Sequence, residues 1–307
     1  MKEMNPIHGK IKYDKHNLYW CNPGEVAEWL KKTDIIMLPL GSVEQHGPYV
    51  PISMDCLSTE LVTERLANRC DIPYFPQIYP GYTPYHMWQA GVPKGSVTLR
   101  YTTYCNMVYD LIRCLIHNGF NKILLPTGHT GNLWPLDTVM RRVRMETGAF
   151  VASLRVESEI FALIKELNEI FDDVPEKFPW KHAAEAETAC ALLYDEELVD
   201  KSKYVEGIPH NPDWLPENFS MGDGVPAQCH FKHYSKLNHG SLLRTPFNFY
   251  EFSDPGHAGS PYNASVEKGE ALYGKLTDIM ADMIEEIKKI EVNVHTRDWS
   301  AGMTSWE

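Results

Sequence analysis

Asp34-Ile-Ile-Met-Leu-Pro-Leu-Gly41 is a short apolar run that ends in glycine, and Ser42-Val-Glu-Gln-His-Gly-Pro48 follows it directly. Such a run is typical of a buried parallel strand. NKILLP at 121–126 and AFVASLRV at 149–156 predict two further strands, and 96–99 is a short strand candidate. Between them, apolar residues recur at helical spacing. The predicted helices cover residues 24–32, 56–69, 103–117, 133–146, 157–170, 183–195 and 264–290. Strands alternating with helices predict an α/β fold with a mostly parallel sheet and helices on both faces.

The composition is that of an ordinary globular protein, with 307 residues, 43% hydrophobic and 23% charged. The net charge of -12 and the absence of a Lys/Arg cluster argue against nucleic-acid binding. The N-terminal stretch has no apolar run, and no stretch approaches the roughly 18 apolar residues of a membrane span. Seven cysteines without a C-x-x-C pair are typical of reduced thiols. We therefore expect a cytoplasmic protein that binds neither nucleic acid nor membrane.

Residues 200–262 differ from the rest, because they are rich in Pro, Gly, Asn, Ser and aromatic residues and have no clear period. We interpret them as a loop-rich insertion beside the core of a single domain that spans 1–307, since so many aromatic side chains need burial. The insertion could form the wall of a sugar-sized pocket, or it could build a subunit interface.

The residues after the first strand can bind metal. Ligands bind outside the carboxyl ends of the strands in open α/β sheets. Glu44 and His46 alternate, so an extended backbone directs both side chains to the same side. Asp55 lies at the start of the next helix. Carboxylate and imidazole groups suit Zn, Mn or Fe, so the three together predict a metal site.

Two later segments carry similar groups. TGHTGN at 127–132 ends the second strand, so His129 should lie on the same rim of the sheet. His182-Ala-Ala-Glu-Ala-Glu-Thr188 opens a predicted helix, where His182 and Glu185 share a face and Glu187 points elsewhere. That segment by itself also fits a negatively charged first turn of a helix. From the residues alone, His86 and His257 could each lie either in a surface loop or in a pocket.

Four segments resemble, in order, motifs of the creatininase (creatinine amidohydrolase) family. GSVEQHGPYVPISMD at 41–55 resembles GSxEQHGPHLPLxTD, and TGHTGN resembles NGHGGN. HAAEAETA at 182–189 resembles HAGExETS, and GSPYNASVEKGEAL at 259–272 resembles GDPxxAxxEKG. The resemblance covers about residues 34–290, apart from the insertion.

This resemblance implies a Rossmann-like three-layer α/β/α fold, a site for two divalent metal ions (Zn and/or Mn, with Fe possible) and a homo-oligomer, commonly a hexamer. Glu44, His46, Asp55 and His129 would be metal ligands, with Asp55 as the bridge. Creatininase proper has a metal-binding Glu in GHYEN where this chain has Gly131, so another carboxylate must complete the site.

The resemblance also implies roles for residues near the third motif. Glu185 is the first candidate for the fifth ligand and Glu187 is the alternative. His182 would be a catalytic acid or base, with Glu187 as a further catalytic candidate. We assign Thr130, His86 and His257 to substrate binding.

The function implied is the metal-dependent hydrolysis of a small polar molecule, first of all at the C–N bond of a cyclic amide or formamide. Gly131, together with Tyr49 where the family usually has His, weakens the case for creatinine itself. The family also includes C–C hydrolases that open a keto-cyclitol such as 3-dehydro-scyllo-inosose. A hypothesis from another class is a metal-dependent binding or peptide-maturation factor.

Overall fold

The sheet consists of three parallel strands in a computed structural model that describes residues 13–87, 94–171, 181–216, 218–221, 228–231, 243–246 and 248–300. Strand β1 (Ile35–Met37) pairs with β2 (Lys122–Thr127), which also pairs with β3 (Phe150–Arg155). Ile36 lies opposite Ile123, which lies opposite Val151. The three predicted strands and their parallel pairing are confirmed.

Helices cover both faces of this sheet. Successive strand residues point to opposite faces, so Ile35 and Met37 join a core with the helices that begin at Met54, Glu185 and Val266, while Ile36 and Ile123 join a second core with the helices that begin at Tyr101 and Leu133. The α/β fold with three layers is therefore confirmed. The helices are α1 (Pro23–Lys32), α2 (Met54–Cys70), α3 (Tyr101–Asn118), α4 (Leu133–Thr147), α5 (Lys165–Asn168), α6 (Glu185–Tyr194) and α7 (Val266–Lys288).

Two predicted elements take other forms. Residues 96–99 make only isolated bridges, through Val97 to Val43 and Thr98 to Gly81, and do not form a strand. The helix predicted over 157–170 is a 3-10 segment, Ser158–Leu163, followed by the four-residue α5. Ile164 between them has extended backbone angles, which interrupts the helix.

The predicted insertion contains a small antiparallel sheet of β4 (Phe219–Met221), β5 (Gln228–Phe231) and β6 (Leu243–Arg244). Phe249 and Phe252 are buried, as expected for its aromatic residues, whereas Trp214 is half exposed. Tyr234 and Phe247 lie outside the described residues, as do 217, 222–227 and 232–242. Among the helices of the described residues, none is both long and apolar enough to cross a bilayer.

Candidate metal centre and active site

A cluster of buried carboxylates and imidazoles lies at the carboxyl ends of β1 and β2. Glu44 and His46 come from the loop after β1, Asp55 is the second residue of α2, and His129 follows β2. All four side chains are at most 3% exposed. The parallel sheet and the helix after β1 thus bring together the four residues for which the sequence predicts a metal-binding role.

Asp55 lies between the two imidazoles. Its Oδ1 is 3.4 Å from Nε2 of His46, and its Oδ2 is 3.1 Å from Nδ1 of His129. The same Nδ1 lies 3.2 Å from Oε2 of Glu44. The two oxygens of Asp55 therefore face two different imidazoles, the arrangement that a carboxylate bridging two ions requires.

Backbone carbonyls orient both imidazoles. Nδ1 of His46 donates to the carbonyl of Glu44 at 3.1 Å, and Nε2 of His129 donates to the carbonyl of Tyr82 at 3.1 Å. Each ring thus turns its other nitrogen, the one free to bind a cation, toward the carboxylates. Nε2 of His46 and Oδ2 of Asp55 are buried without a hydrogen-bond partner among the described residues. Orphaned buried groups with this donor set fit divalent metal ions.

Glu187, not Glu185, reaches the cluster. Its Oε2 lies 3.6 Å from Nε2 of His46, and these two residues form a candidate three-ligand group with Asp55. Glu185 is fully buried and pairs instead with Lys268 of α7. None of the candidate groups among the described residues includes Glu185. The geometry therefore does not support the sequence-based choice of Glu185 as the fifth ligand.

The reason lies in the backbone just before α6. The helix begins only at Glu185, and Ala183 adopts a left-handed conformation with φ of 54°. This conformation costs an L-residue about 1–2 kcal/mol. The bend lets the Ala183 N–H donate to Oε2 of Glu187 at 2.6 Å, while Ser158 donates to Oε1 at 2.9 Å. Helical spacing from His182 does not apply, so Glu187 turns toward the site.

His182 and His86 border the same cluster. Nδ1 of His182 is 3.8 Å from Oε1 of Glu44, and Nε2 of His86 is 3.4 Å from the same oxygen. The two imidazoles stack with centroids 4.8 Å apart, and Phe249 of the insertion stacks on His86 at 4.9 Å. Phe249 thus places part of the predicted insertion against the site.

The pocket over the cluster has further polar walls. Thr130, predicted to bind substrate, lines it and donates to Oε2 of Glu159 at 3.1 Å. Glu159, Lys181 and Tyr85 line it as well, and sequence reasoning missed all three. The sequence could have indicated Glu159, because this residue lies four positions after the carboxyl end of β3. Tyr85 lies in the 3-10 helix Pro84–His86 and Lys181 directly precedes the third motif, but neither residue is part of a motif that indicates its position in the pocket.

The structure places His257 away from the pocket. Its ring is buried, bonds through Nε2 to the carbonyl of Val205 at 2.9 Å and packs edge-on against Tyr49. His257 is not among the residues that line the pocket, although the adjacent Ala258 is. The structure therefore gives no support to the substrate-binding role predicted for His257.

Gly131 is enclosed by the site. A Cβ at this position would meet the carbonyl oxygen of Tyr82 at 2.5 Å and the hydroxyl of Tyr85 at 2.6 Å. Nε2 of His129 lies closer still. These contacts are shorter than real Cβ atoms make, so the present packing admits only glycine there.

Burial and mutual charge shift the protonation of these groups. Burial lowers the pKa of His46, but Asp55 and Glu187 outweigh it and raise that pKa to about 10. The pKa of His129 is likewise raised well above its usual value by Glu44 and Asp55, against the effect of burial. Burial would raise the pKa of Glu44, but His129 and His86 hold it well below its usual range.

His86 and Glu187 shift toward their neutral forms. Burial lowers the pKa of His86 to about 4 and raises that of Glu187 to about 8. Burial, helped by His46 and His86, holds the pKa of His182 well below its usual value. Without metal, these shifts favour the protonated forms of His46, His129 and Glu187. They favour the neutral forms of His86 and His182.

The profile of the family described as Creatininase: Creatinine amidohydrolase matches residues 21–284. The chain belongs to the creatininase family. The match includes the cluster, the insertion and most of α7, and it confirms the resemblance recognised in the sequence motifs. Family membership makes the protein a hydrolase of the creatininase type with a candidate metal site.

Two curated relatives carry different activities. The chain is 26% identical over 264 residues to 3-dehydro-scyllo-inosose hydrolase of Thermotoga maritima, covering 85% of this chain and 75% of the relative. It is 27% identical over 261 residues to creatinine amidohydrolase of Pseudomonas putida, covering 82% of this chain and 89% of the relative. The two identities are nearly equal and do not choose between these activities.

Solved structures share the fold. A crystal structure of creatinine amidohydrolase (creatininase) has a TM-score of 0.67 at 22% identity, covering 90% of this chain and 98% of that chain. A putative creatinine amidohydrolase from Bacteroides fragilis has a TM-score of 0.66 at 23% identity, covering 91% and 98%. These likenesses show that the chain has the creatininase fold.

Proposed function

We propose that this protein is a binuclear metal-dependent hydrolase of a small cyclic substrate. The observation that carries the proposal is the position of Asp55, whose two oxygens face His46 and His129 separately. Three carboxylates (Glu44, Asp55 and Glu187) are buried together, and in the metal-free protein the raised pKa values of His46, His129 and Glu187 keep protons there that offset this charge. Two divalent ions would take the place of those protons.

One ion would be held by Glu44, Asp55 and His129, and the other by His46, Asp55 and Glu187, with Asp55 shared. Zn and/or Mn are our candidates, with Fe as a further one, because nitrogen and oxygen ligands suit them. A manganese form and a Zn–Zn type are among the creatininase structures of this fold. When bound, such a pair of ions lowers the pKa of water and polarises a carbonyl group.

His182 is the proposed proton-transfer group. It lies beside Glu44 and lines the pocket together with Phe249, which covers its ring at 4.6 Å and limits access of bulk water. It takes a proton from the attacking water and returns it to the leaving atom. A leaving nitrogen needs this proton, and the C–N bond of a cyclic amide or formamide is our first candidate.

A specific observation favours a second candidate, the C–C ring opening of a keto-cyclitol. Thr130, Glu159 and Lys181 give the pocket a hydroxyl, a carboxylate and an ammonium group beside the centre. A carboxylate accepts hydrogen bonds from ring hydroxyls and an ammonium donates to them. The relative from Thermotoga maritima, named 3-dehydro-scyllo-inosose hydrolase, supports this candidate.

The test is an assay of the Zn-loaded and the Mn-loaded protein against creatinine, other lactams, formamides and 3-dehydro-scyllo-inosose. Hydrolysis of one class that a chelator abolishes and added metal restores is the expected result. Full activity in a rigorously metal-free preparation would overturn the proposal. The substrate class that is cleaved decides between C–N and C–C hydrolysis.

The non-catalytic hypothesis, a metal-dependent binding or maturation factor, is tested by Glu44→Gln. Unchanged metal content and unchanged hydrolysis in that variant would favour the binding factor. A small-molecule substrate and a homo-oligomer, with a hexamer expected, remain part of the proposal. Light scattering of the purified protein measures the oligomeric state.

A further inference from the structure

Gln45, between the proposed ligands Glu44 and His46, has a side-chain amide whose orientation the backbone fixes. Its Oε1 accepts from the N–H of Gly47 at 3.1 Å, and its Nε2 donates to the carbonyl of Gly256. A carbonyl oxygen can only accept and a backbone N–H can only donate. The amide therefore cannot flip without losing both bonds.

The oriented amide fixes the tautomer of His86. Nε2 of Gln45 lies 2.9 Å from Nδ1 of His86, and an amide nitrogen only donates. Nδ1 of His86 must therefore be the accepting, unprotonated nitrogen. The ring proton then resides on Nε2, which faces Oε1 of Glu44 at 3.4 Å.

The backbone carbonyl of Gln45 acts on His182 in the same manner. It accepts a hydrogen bond from Nε2 of His182 at 2.7 Å, so the ring proton of His182 is on Nε2. In the neutral ring Nδ1 is then the unprotonated nitrogen, and it faces Glu44 at 3.8 Å. The backbone N–H of Gln45 in turn donates to Ser96 at 2.9 Å, which holds the residue in place.

We infer that Gln45 is a positioning residue that sets the tautomers of both His86 and His182. Through its side chain it makes His86 present an N–H to Glu44, and through its carbonyl it makes His182 present an unprotonated Nδ1 to the centre. His86 thus acts through Glu44 and is a positioning residue, in place of the substrate-binding role predicted from the sequence. The expected change in metal affinity rests on the proposed function. The assignment of the two tautomers is independent of it.

The direct test is NMR of the zinc-loaded protein labelled with 15N-histidine. The signal of His86 is assigned by its loss in His86→Gln. The expected result is a proton on Nε2 and none on Nδ1 in the native chain. In Gln45→Glu the new carboxylate accepts where the amide donated, so His86 should gain a proton on Nδ1.

The second test measures zinc affinity by competition with a chelator. Outer hydrogen bonds to metal ligands typically change affinity 10–100-fold, and we expect such a loss in Gln45→Glu. His86→Gln retains a donor near the position of Nε2, whereas His86→Asn places its amide near Nδ1 and leaves Glu44 without one. We therefore expect His86→Gln to bind zinc more tightly than His86→Asn.

Gln77→Glu is the matched control, because Gln77 donates to the carbonyl of Cys56 at 3.1 Å and belongs to none of the candidate ligand groups. It should leave zinc affinity and the tautomer of His86 unchanged. A proton on Nδ1 of His86 in the native chain would overturn the inference. So would equal zinc affinity in His86→Gln and His86→Asn.

If the native chain bound no zinc, the proposed centre would fail. The NMR spectrum of the metal-free protein would still decide the inference about Gln45.

Discussion

Oε2 of Glu187 lies 3.6 Å from Nε2 of His46, and the same carboxylate oxygen accepts a hydrogen bond from the backbone of Ala183. A residue in the first turn of α6 thereby reaches a proposed metal ligand that follows β1, more than a hundred positions earlier in the chain. In this contact the third motif of the family meets the first. Because Glu187 makes this contact and Glu185 pairs with Lys268, variants of the two glutamates should have different effects.

Glu187→Gln and Glu185→Gln form a matched pair. Because Glu187 faces the centre, Glu187→Gln should reduce the zinc content of the purified protein from about two ions to about one per chain and abolish most of the activity. Glu185→Gln should retain both ions. Elemental analysis of both variants makes the measurement.

Glu185→Gln should instead affect folding. It removes the buried carboxylate charge that pairs with Lys268, and breaking a buried pair costs about 3–5 kcal/mol. Chemical unfolding should show a lower free energy of unfolding for this variant. Loss of one ion in Glu185→Gln, with two retained in Glu187→Gln, would return the ligand role to Glu185.

Metal binding should release protons near pH 7. His46 has a pKa raised to about 10 in the metal-free protein, so it carries a proton that a metal must displace. Zinc affinity should therefore rise between pH 6.5 and pH 8.5. Calorimetry of zinc binding in two buffers with different ionisation heats measures the proton release, and identical heats in both buffers would contradict it.

The same pKa shifts determine how the stability of the metal-free protein changes with pH. His46 and His129 have folded-state pKa values above their unfolded value of about 6.5, so their protonation stabilises the fold fully only below that pH. The free energy of unfolding without metal should fall as the pH rises from about 6.5 toward 10. Saturating zinc should weaken or reverse this trend, which urea unfolding at several pH values can show.

His182→Ala should reduce kcat by about 10²–10⁴-fold, the usual contribution of a general acid or base. The zinc content should stay at two per chain, because the two proposed sites have three other ligands each. Steady-state kinetics beside elemental analysis separate the two effects. A fall in activity that tracks a loss of metal would make His182 a ligand instead.

Glu159→Gln should raise KM for a hydroxylated ring more than for creatinine. The carboxylate lines the pocket and accepts from Thr130, and the amide of the variant replaces one of its two acceptor oxygens by a donor and removes its charge, which weakens hydrogen bonds from ring hydroxyls. A lost hydrogen bond to a charged group corresponds to about 1.5–3 kcal/mol, or roughly 10–150-fold. Equal changes in KM for both substrates would remove the argument for the keto-cyclitol.

The sequence predicted the sheet, most of its flanking helices and four residues that lie together in the central cluster, Glu44, His46, Asp55 and His129. This was possible because the apolar runs 34–41 and 121–126 mark the strands, and strand ends in a parallel sheet meet at one edge. His46 and His129 follow directly from that rule. The parallel direction of the strands could be predicted from their alternation with helices alone.

The failures came where tertiary contacts override local patterns. Helical spacing placed Glu185 beside His182, but the left-handed turn at Ala183 starts the helix later and redirects Glu187. The predicted helix over 157–170 is divided at Ile164, while Ser158 and Glu159 bond to groups of the site. No spacing rule carries information about such contacts between distant segments.

Gly131 limits how this centre can change. A carboxylate cannot enter at that position while Tyr85 and the backbone at Tyr82 keep their present places. A ligand set with a carboxylate at position 131 would therefore require coordinated changes at Gly131 and in the segment that carries Tyr82 and Tyr85. A design that introduces a carboxylate at position 131 should rebuild this segment and the segment at Tyr82–Tyr85 together. Replacement of Gly131 alone should yield unfolded or metal-free protein.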